Sequence, residues 1–436
     1  MQSRHFVLGT AVLLLHTAFL PAHAIGQQKS STKSGTVLAQ PGMSAQPLTL
    51  EQAIELALAA NPALRSATRS VGIADGGVQQ AGTRPNPELS LLTEGTDRNT
   101  RTETAQVSQV IELGGKRAAR IAAAEQERNL ALDDVYVKRA DLRADVITAY
   151  MEALTAQERV VLVQASVDLA RKSTDVTSRR VTAGKLSPVE LTRSNVAEAS
   201  AALELTQANA DLALARRRLA SLWASMLPLD RTLQTPDAAV ARLPVWGELA
   251  ARLDRSPQLR RARSAVAGRD AQVALERAQR IPDVTVTLGT QRERDPGRSQ
   301  AVIGVSVPLP LFNRNQGNML SALRRADQAR DDVEAERLRL TQALADAYQR
   351  AEVATTQMTA LHDQILPAAQ SAYDAAVTGF ELGKFSFTDV LDAQRTLFQT
   401  RTQYLRALAD QYRSIADIQR YVPAEGATNY TEGKTQ

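Results

Sequence analysis

Along most of this chain apolar residues return every three or four positions, but in two stretches they return at every second one. Leu142, Val146, Tyr150 and Leu154 stand at steps of four, a narrow apolar stripe on a helix, and residues 116–180 around them contain neither proline nor glycine. A helix of about 65 residues reaches roughly 97 Å at about 1.5 Å per residue. Residues 324–378, interrupted by Pro367, predict a partner of similar length. Each long segment turns at a glycine and returns, over residues 188–221 and 388–421. Helices with so narrow a stripe need lateral neighbours. Ala197, Ala199, Ala201 and Ala202 let such a neighbour come close.

The alternating stretches predict strands. Residues 88–93 form one and residues 102–113 the next, with Ala105, Val107, Ile111 and Leu113 on one side and Gln106, Ser108 and Glu112 on the other. Further on, Val284, Val286 and Leu288 alternate with Thr285, Thr287 and Gly289, and Ala301, Ile303, Val305, Val307 and Leu309 form one apolar face. Polar turns, Thr96-Asp97-Arg98-Asn99 and Arg292-Glu293-Arg294-Asp295, separate the members of each pair. Alternation over about ten residues is the pattern of a membrane β-barrel strand, and also fits a half-buried hairpin. Four strands in two separated hairpins cannot close a barrel within one chain. Their free edges invite association, and three copies would supply twelve strands.

The two patterns recur together. Asn61-Pro62-Ala63-Leu64 returns as Ser256-Pro257-Gln258-Leu259, Pro85-Asn86-Pro87 as Arg280-Ile281-Pro282, and Val107-Ser108-Gln109 as Val305-Ser306-Val307. Leu142, Val146 and Tyr150 return as Leu340, Leu344 and Tyr348, and Gly184-Lys185-Leu186-Ser187 returns as Gly383-Lys384-Phe385-Ser386. The offset grows only from 195 (61 to 256) to 199 (184 to 383). An internal repeat of this length dictates the architecture. The expected fold is mainly α with membrane β: two structural repeats, residues 48–222 and 246–421, each a β-hairpin (about 87–113 and 283–309) followed by a long helical hairpin (116–221 and 317–421).

Local signals mark the boundaries. Arg4 and His5, an apolar run over residues 6–20 and Ala22-His23-Ala24 predict a signal peptide, residues 1–24, cleaved after Ala24. Residues 25–47 are polar and aperiodic and read as a flexible leader. Thr49 is placed to cap a first helix, and Asn61 a second with Pro62 at its first position. Residues 223–245, with Pro228, Pro236 and Pro244, read as a linker between repeats, and residues 422–436 as a polar tail.

Composition narrows the chemistry. Hydrophobic residues make up 44% but aromatics only 4%, which suits close helix packing better than one large core. The 52 basic and 47 acidic residues are interspersed, so the net charge of +5 does not form a nucleic-acid stripe. No cysteine occurs, so neither a disulfide nor a lipid anchor on Cys is expected. His5, His16 and His23 lie in the signal, leaving His362 alone, and no usual Zn or Cu site is expected. Gly-x-Gly-x-x-Gly and the full Gly-x-x-x-x-Gly-Lys-Ser/Thr phosphate loop are absent. No catalytic residue, metal ligand or cofactor is assigned.

The order of elements and the repeat, over roughly residues 48–421, resemble the TolC family of outer-membrane efflux proteins. Gln109-Val110-Ile111-Glu112-Leu113-Gly114-Gly115-Lys116-Arg117 is similar to the strand-to-helix junction of the branch serving heavy-metal exporters, typified by CzcC. The resemblance implies a homotrimer with a twelve-stranded barrel in outer-membrane lipid and a periplasmic helical tunnel. It further implies a periplasmic adaptor (membrane fusion protein) and an inner-membrane pump of the RND type as partners. The cargo it implies is a heavy-metal cation such as cobalt, zinc or cadmium, with a multidrug or type I secretion channel as the alternative. An exported structural coiled coil would share the long helices but not the alternating hairpins.

Within that frame Gly114 and Gly115 turn strand into helix, where glycine tolerates unusual backbone angles. Pro308, Pro310 and Asn313-Arg314-Asn315-Gln316-Gly317 make the same corner in the second repeat. The hairpin tips carry Gly184, Leu186, Ser187, Gly383, Phe385 and Ser386, each a Gly ending one helix and a Ser three residues later capping the next. In the family these tips meet the adaptor. Residues 388–398 resemble the stretch lining the periplasmic aperture, which places its two acidic positions at Asp389 and Asp392. Spacing i,i+3 puts both on one helix face. The first repeat has Glu190 and Arg193 at the matching places. Phe380 and Phe385 stand where the family's closing latch uses Tyr and Arg, so that latch differs here.

Overall fold

The structure, a computed structural model, describes residues 46–95, 101–227, 229–236, 243–294, 297–382, 384–385 and 387–422. Ala24 and most of the leader, the 96–99 turn, Gly383, Ser386, the side chain of Phe380 and the tail from 423 lie outside the described residues.

Helix starts follow their caps. Thr49 and Gln52 form a reciprocal capping box that opens α1 (Leu50–Ala60). Asn61 Oδ1 accepts from Leu64 N at 3.0 Å, and Pro62 opens α2 (Pro62–Ala81). The chain then forms β1 (Glu88–Glu94), β2 (Thr102–Ile111) and α3 (Lys116–Thr182), whose 67 residues extend about 100 Å. It returns as α4 (Pro188–Ser221). The second pass repeats the order: α5 (Trp246–Arg252), a 3-10 turn (Leu253–Arg255), α6 (Pro257–Ala278) capped by Ser256, β3 (Val284–Glu293) and β4 (Ser299–Ser306). Then come α7 (Gln316–Ala360), a π-helical turn (Leu361–Ile365), α8 (Leu366–Glu381) and α9 (Phe387–Tyr421). No helix among the described residues is long and apolar enough to cross a membrane.

The apolar stripe is the core. Leu142, Val146, Tyr150 and Leu154 are buried together with α1 residues Leu50, Ile54 and Ala57 and α9 residues Ala407 and Leu408. The second repeat builds the same arrangement from Leu340, Leu344, Leu249, Leu253 and Leu259. α3 packs against α2, α6, α4 and α9, and α7 against α6 and α9.

Four expectations are corrected. The two hairpins are not separate: β2 pairs with β3 over ten residues, from Thr102↔Glu293 to Ile111↔Val284, giving one antiparallel sheet in the order β1-β2-β3-β4. Strand ends shift, because β2 stops at Ile111 and β4 at Ser306, while β3 runs on through Arg292 and Glu293, which the sequence reading gave to a turn. Pro308 and Pro310, which lack an N–H for the ladder, account for the early end of β4. The break in the second long helix is the π turn ahead of Pro367 rather than the proline alone. Finally, the end of the leader and the linker form a strap. Leu48 bridges Leu233, Arg231 holds the carbonyls of Gln46 and Pro47, and Tyr150 Oη donates to Leu48 O and Gln234 O at 2.7 and 2.6 Å.

Candidate functional site

The sheet has two chemically different faces. Directly paired residues share a face, so the register sorts every strand position. One face carries Leu89, Leu91, Ala105, Val107, Ile111, Val284, Val286, Leu288, Ala301, Ile303 and Val305. Ile303, Leu91 and Val305 are 76%, 75% and 68% exposed, which no water-facing sheet sustains without a partner or lipid. The other face is mainly polar, with Ser90, Thr102, Thr104, Gln106, Ser108, Thr285, Thr287, Gln291 and Ser306 beside Leu92, Val110 and Val302, and Ser108 and Thr287 are hydrogen-bonded at 3.0 Å. Its ionisable strand residues are Glu88, Glu94 and Glu293, all acidic. A Cβ at Gly289 on that face would lie 2.5 Å from Ala105 O, so β2 and β3 approach there only because the residue is glycine. Among the described residues no strand pairs with the outer edges of β1 and β4.

The strand-to-helix junction is tied from three directions. Gly114 and Gly115 adopt φ of +69° and +71°, and Gly115 is the left-handed N-cap of α3. Asn315 holds the matching place before α7 at φ +57°, its Nδ2 donating to Glu276 O and Oε2. Gly317 therefore lies inside α7 rather than at the corner. Lys116 Nζ meets Asp283 Oδ1 at 2.6 Å, and Leu113 N donates to the same oxygen. Arg120 forks onto Glu112 and also donates to Ala81 O and Thr83 O, while Arg117 donates to Gly82 O. The nonapeptide thus fastens the end of α2 and the start of β3 to the base of α3.

At the first tip Gly184 has φ +68°, Lys185 N donates to Arg180 O at 2.8 Å, and Ser187 Oγ accepts from Val189 N at 3.3 Å. At the second, Lys384 N donates to Gly379 O at 2.7 Å. Leu186 is 37% exposed and Phe385 50%. Gly379 was not singled out from sequence. It occupies the place of Arg180, 199 residues on, and any Cβ there would overlap the Phe385 ring. A glycine inside a helical segment with no turn to make was the available signal.

Asp389 and Asp392 lie in the first turns of α9, exposed, on the side away from buried Val390, Gln394 and Leu397. In the first repeat the matching Glu190 and Arg193 form an ion pair at 3.0 Å. The second repeat replaces that neutral pair with two acids. Among the described residues no group of three or more His, Asp or Glu converges to hold a metal ion.

The geometry agrees with known proteins. The family model for "Outer membrane efflux protein" matches residues 53–225 and 249–422, one span per repeat. The cobalt-zinc-cadmium resistance protein CzcC of Cupriavidus metallidurans is 44% identical over 420 residues, 96% of this chain and 99% of that protein. The nickel and cobalt resistance protein CnrC of the same organism is 28% identical over 67% of this chain and 70% of its own length. Among solved structures, CusC superposes with a TM-score of 0.70 at 19% identity, over 87% of this chain and 92% of that one.

Proposed function

We propose that this chain, which belongs to the outer membrane efflux protein family, is the outer-membrane conduit of a tripartite heavy-metal exporter. The observation that carries this reading is the two-faced sheet with open edges. An apolar face, a mainly polar face and no closure among the described residues are the properties of one third of a twelve-stranded barrel, an even strand number within the range of membrane barrels. β2 is about 34 Å long, and a tilt of ~40° brings it near the ~25 Å apolar band of such barrels. The apolar face meets lipid, the polar face lines the passage, and the edges of β1 and β4 meet neighbouring copies in a homotrimer. The long helices continue the passage into the periplasm, and the tips around Gly184, Leu186, Ser187, Gly383, Phe385 and Ser386 engage the adaptor and, through it, an RND pump. The chain reaches this place through a signal peptide cleaved after Ala24.

The cargo is a divalent metal cation of the cobalt, zinc and cadmium class. Support comes from the similarity to CzcC over nearly both whole chains. Carboxylates at Glu88, Glu94 and Glu293 on the polar strand face agree with it, and so do the paired acids Asp389 and Asp392 at the far end. Fixed negative charge along a pore attracts cations without holding them in a closed ligand shell. Deletion of the gene should sensitise the cell to these metals, and the restored chain should appear as a heat-modifiable trimer in the outer-membrane fraction. Unchanged metal tolerance with a normal trimer would remove the metal and leave the conduit, and absence of the trimer would remove both.

A further inference from the structure

The apolar face changes character toward the hairpin turns, the end away from the helices. Rows across β1 to β4 read Leu89–Val107–Leu288–Ile303, then Leu91–Ala105–Thr290–Ala301, then Thr93–Glu103–Arg292–Ser299. Successive rows on one face are about 7 Å apart. One step further, Arg294 N donates to Arg101 O at 3.1 Å, which extends the β2–β3 pairing and puts Arg101 and Arg294 on the same face. Side-chain contacts agree: Glu103 Oε1 lies 3.5 Å from Arg294 Nη2 and 3.7 Å from Arg101 Nε. Two guanidiniums thus reach one carboxylate, Arg292 stands opposite it in the register, and the Arg101, Glu103 and Arg294 side chains are 42%, 43% and 49% exposed. At the same height the opposite face carries Glu94, Thr102 and Glu293, and the bond from Glu293 N to Arg298 O at 3.0 Å adds Arg298 to it. The balance of charge differs by side: three arginines and one carboxylate where the apolar band ends, two carboxylates and one arginine on the face toward the passage. Solubility alone requires no such difference.

We propose that Arg101, Arg292 and Arg294 form a phosphate-binding girdle for phosphorylated lipid headgroups of the outer leaflet, the lipid A class, one patch per chain. This assignment rests on the barrel reading above. On that reading the three arginines stand at the level where the hydrocarbon ends and headgroup phosphates begin. The guanidinium fork matches phosphate oxygens in pairs. Glu103 neutralises only one of the three charges, so the patch keeps a surplus for an anion, while the carboxylate holds Arg101 and Arg294 in place without one. The girdle completes the contact with the membrane that Leu89, Leu288 and Ile303 begin.

Full-length trimers test the assignment by native mass spectrometry with bisphosphoryl lipid A, monophosphoryl lipid A and phosphatidylcholine, with inorganic phosphate as competitor. Wild type should favour the bisphosphoryl lipid. At about 1 kcal/mol per arginine near an anionic surface, the triple change Arg101→Gln, Arg292→Gln, Arg294→Gln should weaken that binding by roughly a hundredfold. Glu103→Gln should strengthen it by about fivefold, a gain that misfolding cannot imitate. Equal binding by wild type and both variants overturns the girdle, and full displacement by inorganic phosphate at matched phosphate concentration overturns its lipid source. A wild-type trimer that inserts into liposomes yet shows no lipid preference rejects the girdle alone. A chain that inserts into no lipid, and whose Ile303→Asp variant behaves as wild type, rejects the barrel reading beneath it.

Discussion

Two adjacent glycines with nearly the same backbone angle should respond very differently to one methyl group. Gly114 and Gly115 have φ of +69° and +71°, so an L-residue at either is strained by about 1–2 kcal/mol. Around Gly115 nothing lies within 4 Å of an added Cβ, so Gly115→Ala carries the backbone term alone. At Gly114 that Cβ would sit 2.7 Å from Ile281 Cδ1 and 2.8 Å from Ile281 Cβ. The branch point of Ile281 cannot rotate away, so overpacking adds about 1–3 kcal/mol, for roughly 2–5 kcal/mol in each chain. Asn tolerates left-handed angles better than Ala, and Asn315 already adopts φ +57° at the N-cap of α7. Gly115→Asn should therefore be the mildest change, Gly115→Ala intermediate and Gly114→Ala the most severe. The assay is the temperature at which the trimer dissociates on a gel, with outer-membrane yield as a second reading. A Gly114→Ala trimer as stable as Gly115→Ala would refute the closed contact with Ile281, and a Gly115→Asn trimer weaker than Gly115→Ala would refute the comparison with Asn315.

Asp at Ile303 or Val305 should cost about 2 kcal/mol or more near the bilayer midplane, and normal trimer yield for both would contradict the lipid assignment of that face. Gly184→Val, at φ +68° with open space around it, should distort the first tip and stop export while the trimer still reaches the outer membrane; crosslinkers at Leu186 and Phe385 that capture no adaptor would discredit the docking role. Asp389→Asn with Asp392→Asn should reduce cation selectivity and block by multivalent cations in planar bilayers, and identical recordings would leave the aperture without its acids. Burial pushes the Tyr150 phenol up to about 12 from 10, so the folded state favours the neutral hydroxyl, a contribution intact below pH 10 and lost as pH rises to about 12. Tyr150→Phe should lower stability by about 1–3 kcal/mol at neutral pH, through the lost hydroxyl partner of the Gln234 carbonyl and the weakened tie to Leu48 O, which keeps its bond from Gln234 N, and should flatten this alkaline loss. An unchanged alkaline melting profile would count against the strap.

What was legible in the sequence is what local chemistry decides. Caps at Thr49 and Asn61 are written in a side chain and an amide a few residues away, and each opens the helix it announces; Ser256, the repeat's match to Asn61, caps its helix in the same way. Alternation at Ala105, Val107, Leu288 and Ile303 needs only a strand's own parity, and the register puts all four on the predicted face. The pairing of β2 with β3 was not legible, because parity says which face a residue takes but not which edge it meets some 180 residues away. The strap failed for a related reason: residues 229–236 carry no period, and Leu233 is buried by contacts with Leu48 and Gln157 from distant segments. Arg292 and Glu293 looked like a turn because they are charged, yet charge at a barrel rim is compatible with strand.

The repeat itself explains why the functional surfaces were partly readable. Matching positions report what both halves need, and these are cap, stripe and tip. Positions where the halves differ report what only one half does. Gly115 faces Asn315, a difference of residue with the same left-handed corner, so geometry rather than identity is the requirement there. Arg180 faces Gly379, and only the second accepts an aromatic ring laid over the backbone. Glu190 and Arg193 neutralise each other at 3.0 Å, whereas Asp389 and Asp392 have the same sign on the same helical face. α3 runs unbroken for 67 residues, but its counterpart is interrupted at Leu361–Ile365. Each of the last three differences places the special feature in the second repeat. Closing a trimer from two such halves gives six helical hairpins of two alternating kinds, three neutral at the base and three acidic, so any charge selection at the tunnel end has threefold rather than sixfold character.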